Sequence, residues 1–208
     1  MSQEEVRAAQ RRRRRDARRR ILDSAQALLE EHPWHAIPLE AIMTRAELTR
    51  TTFYRHFDDR ELLLIALLQE VGVHLDAAGE PWKRGAADPA GELRRNLTTL
   101  TSLFVDHGRL LQAISDASDR DSDLRGAYLR LADDLVATTA ARIAAEVQAG
   151  RSAVQDAEQV AAALVWMNER YLLRCFGRRP FTADPDTAAA ALAEIWVTTI
   201  YGREPGPR

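Results

Sequence analysis

Apolar residues recur at spacings of three and four along most of this chain. Ile21, Leu22, Ala25, Leu28 and Leu29 share one helical face, in a helix that begins near Asp16 and that Pro33 closes. Leu39, Ile42 and Met43 mark a short second helix over residues 39–46. Thr49 suits the N-cap of a third, running to residue 57, in which Phe53 and Phe57 lie four apart and can face a core together. Asp58 or Asp59 caps a longer helix to about residue 78. "GEPWKRGAADPAG", with two prolines and three glycines, is the clearest break in the chain. Helices are expected beyond it at 89–107, 109–118, 122–149, 156–177 and 184–201, with "GRRPFTADPD" between the last two. β-branched runs of the kind that mark strands are nearly absent. The expected fold is all-α.

Four parts follow: a disordered arginine-rich arm at 1–15, polar and without periodicity; an amino-terminal three-helix unit at 16–62; a larger helical body at 63–202; and a flexible tail at 203–208. The 208 residues are enough to bury a real core. Net charge is −2, but residues 1–60 hold thirteen Lys and Arg against ten Asp and Glu, while the remainder holds sixteen against twenty-one. A positive end on a negative body suggests that one segment meets nucleic acid or an anionic surface. The single cysteine, Cys175, excludes an internal disulfide and a cysteine-based zinc site, and fits a reducing cytoplasm. "RRRRRDARRR" leads into an amphipathic helix, not a cleavable apolar stretch, and the longest apolar run, "LLLIALL", is too short to span a bilayer. A soluble protein is expected, with no membrane partner.

Catalysis is not expected. His32, His35, His56, His74 and His107 make no ligand pattern with carboxylates, Glu-x-x-His pairs are absent, and there is neither a P-loop nor Gly-x-Ser-x-Gly. No metal or cofactor is expected.

Helix, three-residue break and short helix is the geometry of a helix-turn-helix, whose second helix enters the DNA major groove. Phe53 and Phe57, with Ile42 and Leu48, would anchor that reader. Its free end offers Thr49, Arg50, Thr51 and Thr52 to base edges and phosphates; Tyr54, Arg55 and His56 extend the same polar surface. Arginine can grip guanine bidentately, threonine methyls can touch thymine, and amides at a helix start favour phosphate. Arg45, beside the turn, and Arg60, at the start of the next helix, are placed for the backbone. The arm could follow that backbone or enter a minor groove. The plain alternatives are a solvated helix between two core anchors and a solvated tail.

"LEAIMTRAELTRTTFYRHFDDRELL" resembles the helix-turn-helix signature of the TetR family of transcriptional repressors, with Ile42, Ala46, Leu48, Thr49, Thr52, Phe53, Tyr54, Phe57 and Arg60 at matching offsets. "WMNERYLLRCF" and "EIWVTTIYG" resemble the last two helices of a mycobacterial member of that family. The chain departs from the signature at Glu47, where glycine is usual, and at Met43, where alanine is usual. Glutamate at positive φ would cost roughly 1 kcal/mol or more, so the turn is either built differently or strained.

The resemblance implies a sequence-specific repressor that binds a double-stranded DNA operator, forms a homodimer through its last two helices, and is released by a small apolar effector. For dimerisation, Ala188, Ala191 and Leu192 allow close approach and Ile195 and Thr199 continue a stripe; intramolecular packing is the equal alternative on the residues alone. For an effector pocket, the candidates are Leu97, Leu100 and Phe104, then Tyr128, Leu131 and Leu135, then Trp166, Asn168 and Trp196. An amide among aromatic and aliphatic walls suits a small-molecule site, although such stripes are more often plain core. The resemblance singles out Asn168 and Trp196 as ligand-holding, and Trp166 as a bulky departure that would shorten or close the cavity. Two other readings remain: a DNA-binding dimer with no inducer, and a ligand-binding module that has lost DNA reading through Glu47.

Overall fold

The computed structural model describes residues 2–85 and 87–202. The tail expected at 203–208 lies outside the described residues. Among the described residues there are eight α-helices, one 3-10 turn at Trp34–Ala36 and no strand. The helices are α1 (Gln3–Leu29), α2 (Leu39–Arg45), α3 (Arg50–Phe53), α4 (Arg60–Lys83), α5 (Pro89–Ser118), α6 (Ser122–Gln148), α7 (Ala157–Phe176) and α8 (Pro185–Tyr201). The first three pack as a small unit, and α4 carries the chain into a body in which α5 is central, packed against α4, α6, α7 and α8.

Aspartate starts every long helix of the body. Asp59, Asp88, Asp121, Asp156 and Asp184 each accept the backbone N–H three residues on, at 2.7–3.0 Å. Each side chain satisfies an otherwise orphaned donor, typically stabilising by about 1 kcal/mol. The two hydrogen bonds from Thr187 hold the Asp184 carboxyl below its usual range.

Four local expectations are corrected. The arm expected to be disordered at 1–15 is, from Gln3, the first half of α1, started by a capping box in which Ser2 Oγ accepts from Glu5 N–H and Glu5 Oε2 accepts from Ser2 N–H. Arginine, alanine and glutamine are good helix formers, and extending a helix already formed by the buried face of Ile21–Leu29 is far easier than nucleating one. Second, α4 continues past residue 78, with Pro81 inside its last turn, because Trp82 is buried against Trp196 and donates to the Tyr201 hydroxyl at 3.1 Å. At 24 residues α4 is long and apolar enough to cross a membrane, contrary to what "LLLIALL" alone suggests. Its Leu63, Leu64, Leu67 and Val71 are buried inside the protein.

Third, the helices expected at 89–107 and 109–118 are one helix. Gly108 is not a break but a crossing point: a Cβ there would stand 2.6 Å from the Phe176 carbonyl oxygen, closer than packed atoms tolerate. Fourth, α3 is shorter than expected, and the chain reaches Phe57 through a looser turn that still bonds Phe57 N–H to the Phe53 carbonyl at 3.0 Å.

Candidate nucleic-acid interface and effector cavity

The turn between α2 and α3 keeps the geometry that glycine usually provides. Glu47 N–H donates to the Thr44 carbonyl and Leu48 N–H to the Met43 carbonyl, both at 3.0 Å, the paired bonds of a Schellman cap. Glu47 sits at its left-handed position with φ 51°. The turn therefore keeps the Schellman shape at the cost of backbone strain at Glu47. Glu47 is the only non-glycine at positive φ among the described residues, and its exposed carboxylate accepts from Arg20 at 2.8 Å. Met43 is accommodated in the core.

Thr49 caps α3, accepting Thr52 N–H at 3.3 Å and lying 3.0 Å from the Thr52 hydroxyl. Phe53 and Phe57 turn inward, their ring centroids 5.5 Å apart. That leaves Thr49, Arg50, Thr51, Tyr54 and Arg55 exposed along one edge, with Thr52 and His56 half-buried beside them. Arg50 is held by ion pairing to Glu40 at 2.6 Å and by donation to the Tyr54 hydroxyl at 3.2 Å. Arg45 stands 3.5 Å from Glu31. All three exposed acidic partners, Glu31, Glu40 and Glu47, are exchangeable surface contacts of small net worth. Arg60 behaves differently. Its guanidinium lies 4.4 Å over the Trp34 ring and donates to the Trp34 carbonyl at 2.8 Å, so the side chain placed for a phosphate is tied into the fold.

The helical arm brings charge that the spacing of α3 does not disclose. Arg18 sits 5.3 Å over the Phe57 ring, and Arg14 and Arg18 act on His56. Burial first, then these two arginines and Arg55, push the His56 pKa below its ordinary 6.5. Arg14 was missed as a candidate because an arm read as disordered has no fixed neighbours, and Arg18 because its place over Phe57, 39 residues on, is not visible in helical spacing.

In the body, all nine side chains suggested for an effector line one cavity of about 120 Å³: Leu97, Leu100 and Phe104 from α5, Tyr128, Leu131 and Leu135 from α6, Trp166 and Asn168 from α7, and Trp196 from α8. Trp166 forms part of the wall without closing the space. Trp196 Nε1 donates to Asn168 Oδ1 at 2.9 Å, so the two positions that the resemblance singled out are bonded to each other. Tyr128 donates its hydroxyl to Glu169, and burial, followed by that carboxylate, drives the phenol pKa far up. Trp82, Lys83, Asn96 and Glu169 also line the cavity and were not foreseen. Glu169 had a sequence signal: it follows Trp166 by three, on the same helical face.

A helix-turn-helix with an arginine-bearing exposed edge at one end and an apolar, polar-tipped cavity in the body at the other is the layout of a DNA-binding regulator. Residues 21–67 match "Bacterial regulatory proteins, tetR family" and residues 93–202 match "Transcriptional regulator EthR, C-terminal domain". The chain belongs to the TetR family of bacterial transcriptional regulators, which are not enzymes. It is 30% identical over 185 residues to the HTH-type transcriptional regulator EthR of Mycobacterium tuberculosis, covering 88% of this chain and 86% of that one. It is 29% identical over 189 residues to EthR of Mycolicibacterium smegmatis, with 89% and 86% covered. The HTH-type transcriptional repressor KstR of Rhodococcus jostii is more distant, at 24% over 186 residues, with 89% and 72% covered. Among solved structures, the TetR-family regulator PfmR from Thermus thermophilus superposes with a TM-score of 0.71 at 21% identity, over 86% of this chain and 98% of that one. A regulator from Saccharomonospora viridis, solved with choline, gives 0.72 at 21%, over 90% and 98%. These two speak for the fold.

Proposed function

We propose that this regulator is a cytoplasmic homodimeric repressor that binds a DNA operator through Thr49–Arg55 and leaves it when a small, largely apolar effector enters the body cavity. The observation that carries this reading is the course of α4. The same helix begins at the reader, where Arg60 is clamped to Trp34, and ends in the cavity wall at Trp82. A separation of 22 residues spans about 33 Å of helix. Two readers fit successive major grooves only when roughly 34–36 Å apart. An effector that widens the cavity tilts α4 and moves the reader at its far end, and DNA is released to the extent that the effector prefers the splayed state.

The proposed operator contacts are Thr49, Arg50, Thr51, Thr52, Tyr54, Arg55 and His56, with Arg45 and the arginines of α1 on phosphates; Arg60 leaves the set as a scaffold for α4. For the dimer, the outward face of α8 needs revision. Ala188 and Leu192 are buried within the single chain, whereas Ala191, Ile195 and Thr199 stay exposed. Those three, with the exposed Ala163 and half-buried Met167 of α7, are the proposed contact between copies.

The cavity argues against a regulator without an inducer, and the intact turn at Glu47 argues against lost DNA reading. Selection of bound fragments from genomic DNA by the purified chain, followed by fluorescence anisotropy on the recovered site, tests the proposal. A two-fold symmetric site bound by a dimer is expected, and a monomer that binds it equally well would sink the reading. Removal of residues 2–15 is expected to flatten the dependence of log affinity on log salt.

A further inference from the structure

Among the described residues, the cavity lining has one buried side-chain polar atom with no hydrogen-bond partner. Glu169 Oε1 accepts from Tyr128, but Glu169 Oε2 is buried and has no hydrogen-bond donor, alone in this among the described cavity-lining side chains. The nearest cation, the exposed guanidinium of Arg170, stands with Nε at 3.7 Å, beyond hydrogen-bond reach. Several other polar side chains of the lining are engaged. Lys83 is paired with Asp76 and lies 3.9 Å from Glu80, Asn96 donates to the Ala78 carbonyl at 2.7 Å, and Asn168 accepts from Trp196. A carboxylate oxygen withdrawn from water without a partner is unfavourable, and the site is best completed by what supplies charge as well as a contact.

The walls favour the same kind of guest. Trp82, Trp166, Trp196, Phe104 and Tyr128 all face this space, and aromatic faces attract a desolvated cation. From residue 128 to residue 139 the cavity follows α6 for about 16 Å, which gives an apolar chain somewhere to lie beyond the head group. An anion would meet Glu169 as a like charge, and a neutral donor would add no positive charge to the loose contact from Arg170.

Resting on the effector reading above, we propose that the effector is a cationic amphiphile whose ammonium group sits between the Glu169 carboxylate and the surrounding indoles, its apolar part extending along α6. The test uses three probes of similar length on the full chain: hexyltrimethylammonium, 1-octanol and octanoate, titrated calorimetrically. The ammonium is expected to bind at least about tenfold tighter than the alcohol, and octanoate more weakly than either. Glu169→Gln is expected to abolish the ammonium's advantage while leaving octanol binding in place. Tyr128→Phe, which retains the carboxylate, is expected to preserve the advantage.

An ammonium no better than octanol in the natural chain, or an advantage that survives Glu169→Gln or vanishes in Tyr128→Phe, overturns the head-group assignment. Octanol binding alone would leave the effector cavity standing. If none of the three binds, the cavity reading falls and this inference with it.

Discussion

The reading end and the body solve opposite problems with the same helical material. In the reader, α2 and α3 have seven and four residues and rely on caps, a strained turn and two buried rings for their shape. Its Arg45 and Arg50 are paired to exposed glutamates, contacts that a phosphate or a guanine can replace at little loss. In the body, helices of 17 to 30 residues, each started by an aspartate, surround a cavity. On the proposed reading, binding a polyanion uses weakly committed surface charge on a rigid seat, whereas binding a small guest uses a committed wall with a buried carboxylate oxygen that lacks a hydrogen-bond donor.

That contrast can be broken at several points. Phe53→Ala removes the seat itself and is expected to lower stability by about 3–5 kcal/mol in denaturant unfolding, as for other buried aromatic truncations. A loss below 1 kcal/mol would mean that α3 is held by its caps alone. In the body, Gly108→Ala forces a methyl against the Phe176 backbone and is expected to cost about 1–3 kcal/mol. A neutral result would show that α5 and α7 separate freely there. Arg50→Ala should leave the melting temperature unchanged and weaken the selected operator roughly tenfold to a hundredfold if the side chain reads a base. An equal loss on unrelated DNA would make it a phosphate clamp instead.

Two smaller effects sharpen the picture. Glu47→Gly relieves the left-handed strain but frees the unfolded chain, so a net gain of up to about 1 kcal/mol is expected. Destabilisation would show that the Arg20 contact outweighs the backbone. His56 is held below its ordinary pKa in the free protein, by burial first and then by Arg14, Arg18 and Arg55. A nearby phosphate would raise it, so DNA binding takes up a proton. Affinity is then expected to rise a fewfold as pH falls from about 7.5 to 6, and His56→Gln should flatten that profile. On its own the depressed pKa makes the folded state lose stability as pH falls through the unfolded value, so the two readouts have opposite signs.

Much of this architecture was visible in residue spacing because it is local. Thr49 and the helix-starting aspartates satisfy backbone donors within three residues, and the faces of α1, α2 and α5 follow the helical period. The nine cavity side chains also fell on readable faces. What escaped detection depends on partners distant in sequence. Gly108 looks like a breaker until Phe176 is seen against it, Pro81 looks like a stop until Trp82 meets Trp196, and Arg60 looks free until Trp34 lies under it. The arginine run carries no apolar stripe, so its helical state is set by the capping box before it and the packed turns after it.

The hollow in the body has one further consequence, for volume. A folded chain that encloses empty space occupies more room than its atoms require, and hydrostatic pressure favours whatever state eliminates that space. Compression would draw the α4–α6 wall inward, while a guest pushes it outward. On the proposed mechanism, the wall that pressure would compress is the one that the effector would brace.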